Sequence, residues 1–379
     1  MARRRLLVTG ANTLIGSHVL NQLLAYDVSI RAVVGSSEEV QTLRHQYPPS
    51  TYPRLDLAIV PHKETAIPGA FEGALHDYPE PFDTIIHTVT ADPAEDADCL
   101  ARLINMETES SINLLRSVKA VTSRVHRVVV VSSLSPFARW LVDPQMEPLS
   151  PGGYYNQHRA AEIDCEYVLA TSQASDNIIH DALWKWMRDV HARFDLVYLT
   201  APSVYGPSTR PLENSSDLQE ANRRVWNICS NAGERMSSPP YGIDYFTDVR
   251  VSQLCNFPLE ILHVDTTQDF AFASVQAAFT PQAGNRRFVI SAGTMPSGAV
   301  IADFLISRFP ELGNRVRSYG SPPRRTPSID SPLDFADTHL AATILGLVRY
   351  RRVEDTLTDL AQQILELHRR REWRSVIQS

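Results

Sequence analysis

A chain of 379 residues, 43% hydrophobic and 21% charged, carries enough apolar material for one large core or for a core with a smaller appended lobe. Its formal charge of −7 offers no cationic field to a phosphate backbone or an anionic lipid surface, so neither nucleic acid nor membrane is an expected partner. Cys99, Cys165, Cys229 and Cys255 are scattered without a C-x-x-C pair, which argues against a disulfide framework and against a zinc site, and no other metal is expected.

The chain opens with "MARRRLLVTGAN", where "LLV" is too short for the apolar region of a signal peptide, and no later run approaches a membrane span. A reduced, cytoplasmic setting is the expectation. Short apolar runs then recur, "RLLVTG", "SIRAVVG", "DLAIVP", "DTIIHTV" and "HRVVVVSS", separated by helical patterns such as "IGSHVLNQLLAY" and "NMETESSINLLRSVKAV". Strands buried on both faces have this texture, so the chain is predicted to be α/β, with a Rossmann-type doubly wound parallel sheet over residues 1–204. From about residue 205 the texture changes to loops such as "GPSTRPLENSSDLQ" and "SSPPYGIDYF". Residues 205–379 are therefore expected to form a smaller substrate-binding domain, some of whose elements return to the first. Near the end, "RRVEDTLTDLAQQILELHRRREW" reads as an amphipathic helix with Leu357, Leu360, Ile364 and Leu367 on its apolar face.

The first strand leads into "TGANTLIGSH", which sets Gly10 and Gly16 in a strand-to-helix turn. Small residues there let a pyrophosphate approach the backbone N–H groups of a helix N-terminus, so Gly10, Asn12, Thr13, Leu14, Ile15 and Gly16 are the candidate cofactor contacts. Thr13 stands where a middle glycine is usual. At the end of the second strand, "SIRAVVGSSEEV" has no acid to receive a ribose 2′-hydroxyl, while Arg31, Ser36 and Ser37 could receive a 2′-phosphate. That favours NADP(H) over NAD(H), although Gly35 takes the place where an arginine would be persuasive. Further on, "TSQASDNIIHDALWKWM" puts Ser172, Asp176 and His180 in one i, i+4, i+8 row of a helix over 171–187.

With "VTGANTLIGSH", "FDTIIHTVTA", "VHRVVVVSS", "FDLVYLTAPSVYGP" and "NRRVWN" in this order, the chain resembles the extended short-chain dehydrogenases/reductases. The nearest branch is the aldehyde and ketone reductases of fungi and plants, which includes the dihydroflavonol reductases. The resemblance implies a Rossmann domain, a substrate domain, and a catalytic serine, tyrosine and lysine, the lysine four residues after the tyrosine. Ser133 in "VVSSLS" matches the serine, with Ser132 and Ser135 as near alternatives. Thr88 falls among the cofactor contacts, and His62 stands where the branch carries an aspartate near the adenine.

Tyr-x-x-x-Lys, however, occurs nowhere in the sequence. Tyr154 with His158, or Tyr155 with Arg159, is one stand-in. The other is Ser172 with Asp176, and Ser172 has the tyrosine's placement in that branch, 39 residues after Ser133 and 29 before Ala201. A lysine there would stabilise phenolate, whereas a carboxylate does the reverse, by about 4 kcal/mol per unit charge at ~4 Å and an effective dielectric near 20.

The row admits three readings: a Ser-His-Asp nucleophile, which its order disfavours; an Asp176–His180 acid/base pair; or polar caps on a helix start, from Thr171, Ser172 and Ser175. The leading expectation is a non-redox isomerase or cyclase, a pericyclic-type closure included, acting on a hydrophobic carbonyl-bearing metabolite of secondary metabolism. Its alternatives are an NADPH-dependent reductase taking its acid from Tyr154 or Tyr155, and a non-catalytic NADP(H) sensor or scaffold. Retention of NADP(H) is open in the first of these. A monomer or homodimer is expected, with Tyr205, Tyr241 and Tyr245 as candidate pocket aromatics.

Overall fold

The computed structural model describes residues 3–76, 80–89, 100–122, 124–137, 165–214, 217–218, 220–229, 245–250, 270–296, 298–313 and 338–378. Tyr154, Tyr155 and Tyr241 lie outside them, as does the Tyr245 side chain.

Seven strands form the main sheet: β1 (Arg5–Thr9), β2 (Ser29–Val34), β3 (Leu55–Ile59), β4 (Thr84–His87), β5 (Arg127–Ser133), β6 (Asp195–Ala201) and β9 (Arg286–Val289). They pair in parallel in the order β3-β2-β1-β4-β5-β6-β9. Chain order reverses between β1 and β4, and ligands of such sheets bind at the carboxyl ends beside that switch point. The local cause is plain in β5, whose "RVVVVSS" is buried along its whole length. β-branched side chains fill both faces at once, which a strand tolerates only where helices cover both.

Helices α1 (Leu14–Leu23), α2 (Ser37–Gln46) and α6 (Phe270–Phe279) cover one face, where Val19, Leu20, Leu43 and Phe270 meet Leu6, Val129 and Leu199. Helices α3 (Leu100–Val121) and α4 (Cys165–Asp189) cover the other, where Leu103, Leu114, Ile179 and Leu183 meet Leu7, Val128 and Leu196. The chain thus comes back to the first lobe for α6 and β9 after building part of the second. A third core joins Leu218 and Val225 to Leu305, Leu357, Leu360 and Ile364. It gathers α5 (Glu220–Cys229), α7 (Gly298–Arg308) and α8 (Val353–Gln378), with a three-stranded sheet ordered β10 (Gly293–Thr294), β8 (Tyr245–Asp248), β7 (Ser203–Tyr205). The apolar stripe of the last helix therefore packs inward, as its periodicity predicts. Among the described residues no helix is long and apolar enough to cross a membrane.

Candidate functional site

The turn after β1 is shaped by what it excludes. Gly10 has φ +63°, a left-handed conformation that glycine adopts without strain. A Cβ on Gly16 would lie 2.0 Å from the Gly10 carbonyl oxygen, so only glycine lets α1 approach β1 this closely. Thr13 caps α1: its hydroxyl accepts from Gly16 N at 3.1 Å and donates to Gly10 O at 2.8 Å. Leu14 and Ile15 follow as the first two helical residues, and their N–H groups have no acceptor within the helix. Thr88, at the end of β4, donates to Thr9 O at 2.6 Å and braces the turn from below. A cavity of about 50 Å³ separates Asn12 and Leu14 from Ser208, Arg210 and Asn222 of the second lobe. Asn12 Oδ1 is buried without a hydrogen-bond partner. An open helix N-terminus and a close-packed glycine fit the pyrophosphate of a dinucleotide, while the orphaned Asn12 Oδ1 is an acceptor for a hydroxyl or amide donor.

The ribose end departs from expectation. Arg31 cannot serve as a phosphate receptor, because strand alternation turns it towards its β3 neighbour Asp56, which it pairs with at 2.6 Å. Its guanidinium also donates to Ala74 O and His76 O. Ser36 caps α2, its hydroxyl accepting from Glu39 N at 3.2 Å, and the Glu39 carboxylate accepts from Gly35 N at 2.6 Å. This is a variant of the capping box in which Glu39 reaches past the N-cap to Gly35 N, and the Ser-x-x-Glu spacing in "SSEE" is the sequence signal for Glu39. His62 packs its ring over Gly35, where a Cβ would come within 2.5 Å of it.

At the carboxyl end of β5, Ser133 is loosely held: its hydroxyl donates to Pro202 O at 3.3 Å and accepts from Ser135 N at 3.3 Å. Ser132, on the opposite face, donates to Asp176 at 2.7 Å. Asp176 is wholly buried. Besides Ser132 it accepts from Tyr198 Oη at 2.6 Å, Thr200 Oγ1 at 2.8 Å and the Arg287 guanidinium at 2.5 Å. One carboxylate thereby ties α4 to β5, β6 and β9. Burial, and next to it the Asp176 charge, push the Tyr198 phenol well above its ordinary pKa, so Tyr198 serves as a neutral donor.

The row expected on α4 is not a working row. His180 Nδ1 pairs with Asp181 at 2.9 Å, and its ring stacks on Trp184 with centroids 4.4 Å apart. The Asp176–His180 acid/base pair is therefore not formed, since Asp176 accepts from Ser132, Tyr198, Thr200 and Arg287, all on strands of the main sheet. Nor does the row start a helix: α4 runs back to Cys165, which places Ser172 and Asp176 in its interior. Ser175 donates back to Thr171 O at 2.8 Å, and the Ser172 hydroxyl is buried without a partner. Tyr205 is packed in the core of the second lobe rather than on a pocket wall. Arg287 had no local signal, being 111 residues from its partner.

The NAD-dependent epimerase/dehydratase family model matches residues 6–178. An uncharacterised oxidoreductase of Schizosaccharomyces pombe is 25% identical over 307 residues, which is 79% of this chain and 81% of that one. The ketoreductase azaE of Aspergillus niger is 23% identical over 367 residues, covering 96% of this chain and 98% of its own. Among solved structures, the NADPH complex of yeast methylglyoxal/isovaleraldehyde reductase superposes with a TM-score of 0.62 at 17% identity, covering 96% of this chain and 99% of the other.

Proposed function

We propose that the chain, whose residues 6–178 match the NAD-dependent epimerase/dehydratase family, is a nicotinamide-dinucleotide-dependent reductase of hydrophobic aldehydes or ketones whose proton donor does not lie on α4. The observation that carries this reading is the turn at Gly10–Gly16, where a Cβ-free Gly16 against Gly10 O leaves the α1 N-terminus open beside the switch point of the sheet. Ketoreductase and aldehyde reductase names among the relatives support it. Leu14 and Ile15 N–H would hold the pyrophosphate, and Ser133 would hydrogen-bond the substrate carbonyl. When bound, the dinucleotide supplies the hydride.

Asp176 is closed off by four donors and can neither deliver a proton nor lower the pKa of a phenol. The acid is assigned instead to Tyr154 or Tyr155, on the segment between β5 and α4. Incubating the purified chain with either reduced dinucleotide and a panel of small apolar aldehydes and ketones should consume nicotinamide absorbance in step with alcohol formed. Replacing both tyrosines by Phe should lower kcat by about 10²-fold or more. Full activity in that double variant would remove the tyrosine assignment, and no oxidation with any carbonyl would remove the reductase reading.

A second reading is favoured by one observation, the buried anion at Asp176 where the reductase branch carries a cation. On it the scaffold catalyses an isomerisation or cyclisation without a hydride, through preorganised hydrogen bonds and shape. Product formed while the dinucleotide stays unchanged would decide for it.

A further inference from the structure

We propose that the crevice between the lobes, on the flank of α2, is a second ligand site, separate from the dinucleotide turn, and that it takes a small organic acid in which one carboxylate is carried on an apolar body. The crevice has a volume of about 510 Å³. Its walls are the second half of α2 around Thr42, residues 209–213 of the segment after β7, and Leu367 and Arg370 of α8. Small-molecule pockets run from about 300 to 1,000 Å³, so the space suits one such ligand. Its place keeps it apart from the proposed reduction. α2 runs back from the carboxyl end of β2, so its second half lies towards the amino ends of the strands, whereas Ser133 and the Gly10 turn stand at the carboxyl ends.

The class of ligand follows from the groups left free. Arg210 is half-buried, and among the described residues its guanidinium has neither an acceptor nor a counter-ion. A fork of N–H donors partly withdrawn from water is matched best by a carboxylate, which it grips with two hydrogen bonds. Its stem is fixed meanwhile: Arg210 N donates to Ser208 Oγ at 3.3 Å, and Arg210 O accepts from Gln363 of α8 at 3.2 Å. The other charges on the walls do not neutralise it. Arg370 is paired with Glu366 one turn back along α8, and the Glu213 carboxylate is exposed to water and forms no ion pair with Arg210. Pro211, Leu212 and Leu367 supply the apolar surface, so an inorganic anion would use the fork and leave that surface unused.

Calorimetric titration of the full-length chain with diphenylacetate tests the site without reference to any turnover. Diphenylacetate should bind at least about tenfold more tightly than diphenylacetamide, which has the body without the charge, and than inorganic phosphate, which has the charge without the body. Arg210→Gln should weaken diphenylacetate by about tenfold or more, and Glu213→Gln, which removes a like charge from the rim, should tighten it. Arg210 also borders the small cavity beside Asn12, so Thr42→Trp is the deciding variant: Thr42 is exposed on α2 and faces the crevice alone. The indole should fill the crevice and abolish binding while the thermal melt stays in place. Undiminished binding in Thr42→Trp puts the acid elsewhere and overturns the site. Equal affinity for diphenylacetamide overturns the carboxylate, equal affinity for inorganic phosphate overturns the apolar body, and no binding at millimolar diphenylacetate overturns the proposal whole.

Discussion

At the scale of single residues the governing fact is the confinement of Asp176. Its charge is matched by Arg287, and its oxygens are filled by Ser132, Tyr198, Thr200 and that guanidinium. Asp176→Asn would leave Arg287 without its counter-charge and should lower unfolding stability by roughly 3 kcal/mol in urea titration. Asp176→Lys, which recreates the lysine of the reductase branch, should cost more, because it sets two cations side by side at a buried point. It should also give no gain in carbonyl reduction. Tyr198→Phe removes one hydrogen bond and keeps the ring, so a loss of about 1 kcal/mol is expected. The sequence showed Asp176 as the odd residue in its motif, since the departure is local. It could not show the reason, because Arg287 reaches the site only through the β6 and β9 pairing, a contact far apart along the chain. The role first assigned to Arg31 failed on a rule of one residue: along a strand, alternate side chains face opposite ways, and Arg31 has the parity of Asp56.

At the scale of elements, the strands and the first helix were legible because their causes are short-range. Runs such as "RVVVVSS" specify burial on both faces, and "TGANTLIG" specifies a turn whose glycines answer to a positive φ and a close approach. The start of α4 was misplaced for the complementary reason. Thr171, Ser172 and Ser175 have the composition of a cap, yet the burial of Val168 and Leu169 extends the helix backwards past them. Two glycines at helix starts separate packing from propensity. Gly16→Ala drives a methyl into Gly10 O and should lower stability by about 2 kcal/mol or more, weakening dinucleotide binding as α1 is pushed from β1. Gly298, the first residue of α7, would meet nothing within 4 Å of an added Cβ. Gly298→Ala should therefore raise stability by roughly 0.5–1 kcal/mol. Thermal melts of the two variants, moving in opposite directions, would separate the cases.

At the scale of the whole molecule, the two lobes are joined by a segment running from Gly206 to Arg210. His18 of α1 hydrogen-bonds Pro207 O at 2.9 Å, and Gln363 of α8 holds Ser208 N at 2.8 Å and Ser208 O at 3.0 Å. Burial lowers the His18 pKa to about 4, against a smaller opposing pull from the Pro207 carbonyl. His87, buried in β4 with Nδ1 at 2.7 Å from Thr9 Oγ1, is likewise lowered to about 4 by burial. Both rings are neutral in the folded chain, whereas in the unfolded chain they take up protons below the ordinary value of 6.5. Between those values the unfolded state binds more protons, so stability is complete above about pH 6.5 and falls as the pH drops towards 4. A fully buried ring with this depression accounts for on the order of 3 kcal/mol across the window. Urea unfolding at pH 7 and at pH 4.5 should show the loss. His87→Gln, which cannot be charged, should be less stable at pH 7 yet lose less of its stability on acidification. His18→Gln should flatten the same slope while preserving a donor for Pro207 O. An acid slope unchanged in both variants would mean that the carboxylates alone set the acid limit, with Asp248 foremost: burial acts to raise its pKa, but the Arg250 guanidinium and the Thr356 hydroxyl outweigh that and hold it below the ordinary range. A depressed carboxylate gives up its stability at still lower pH, so the position of the slope along the pH axis distinguishes the two sources.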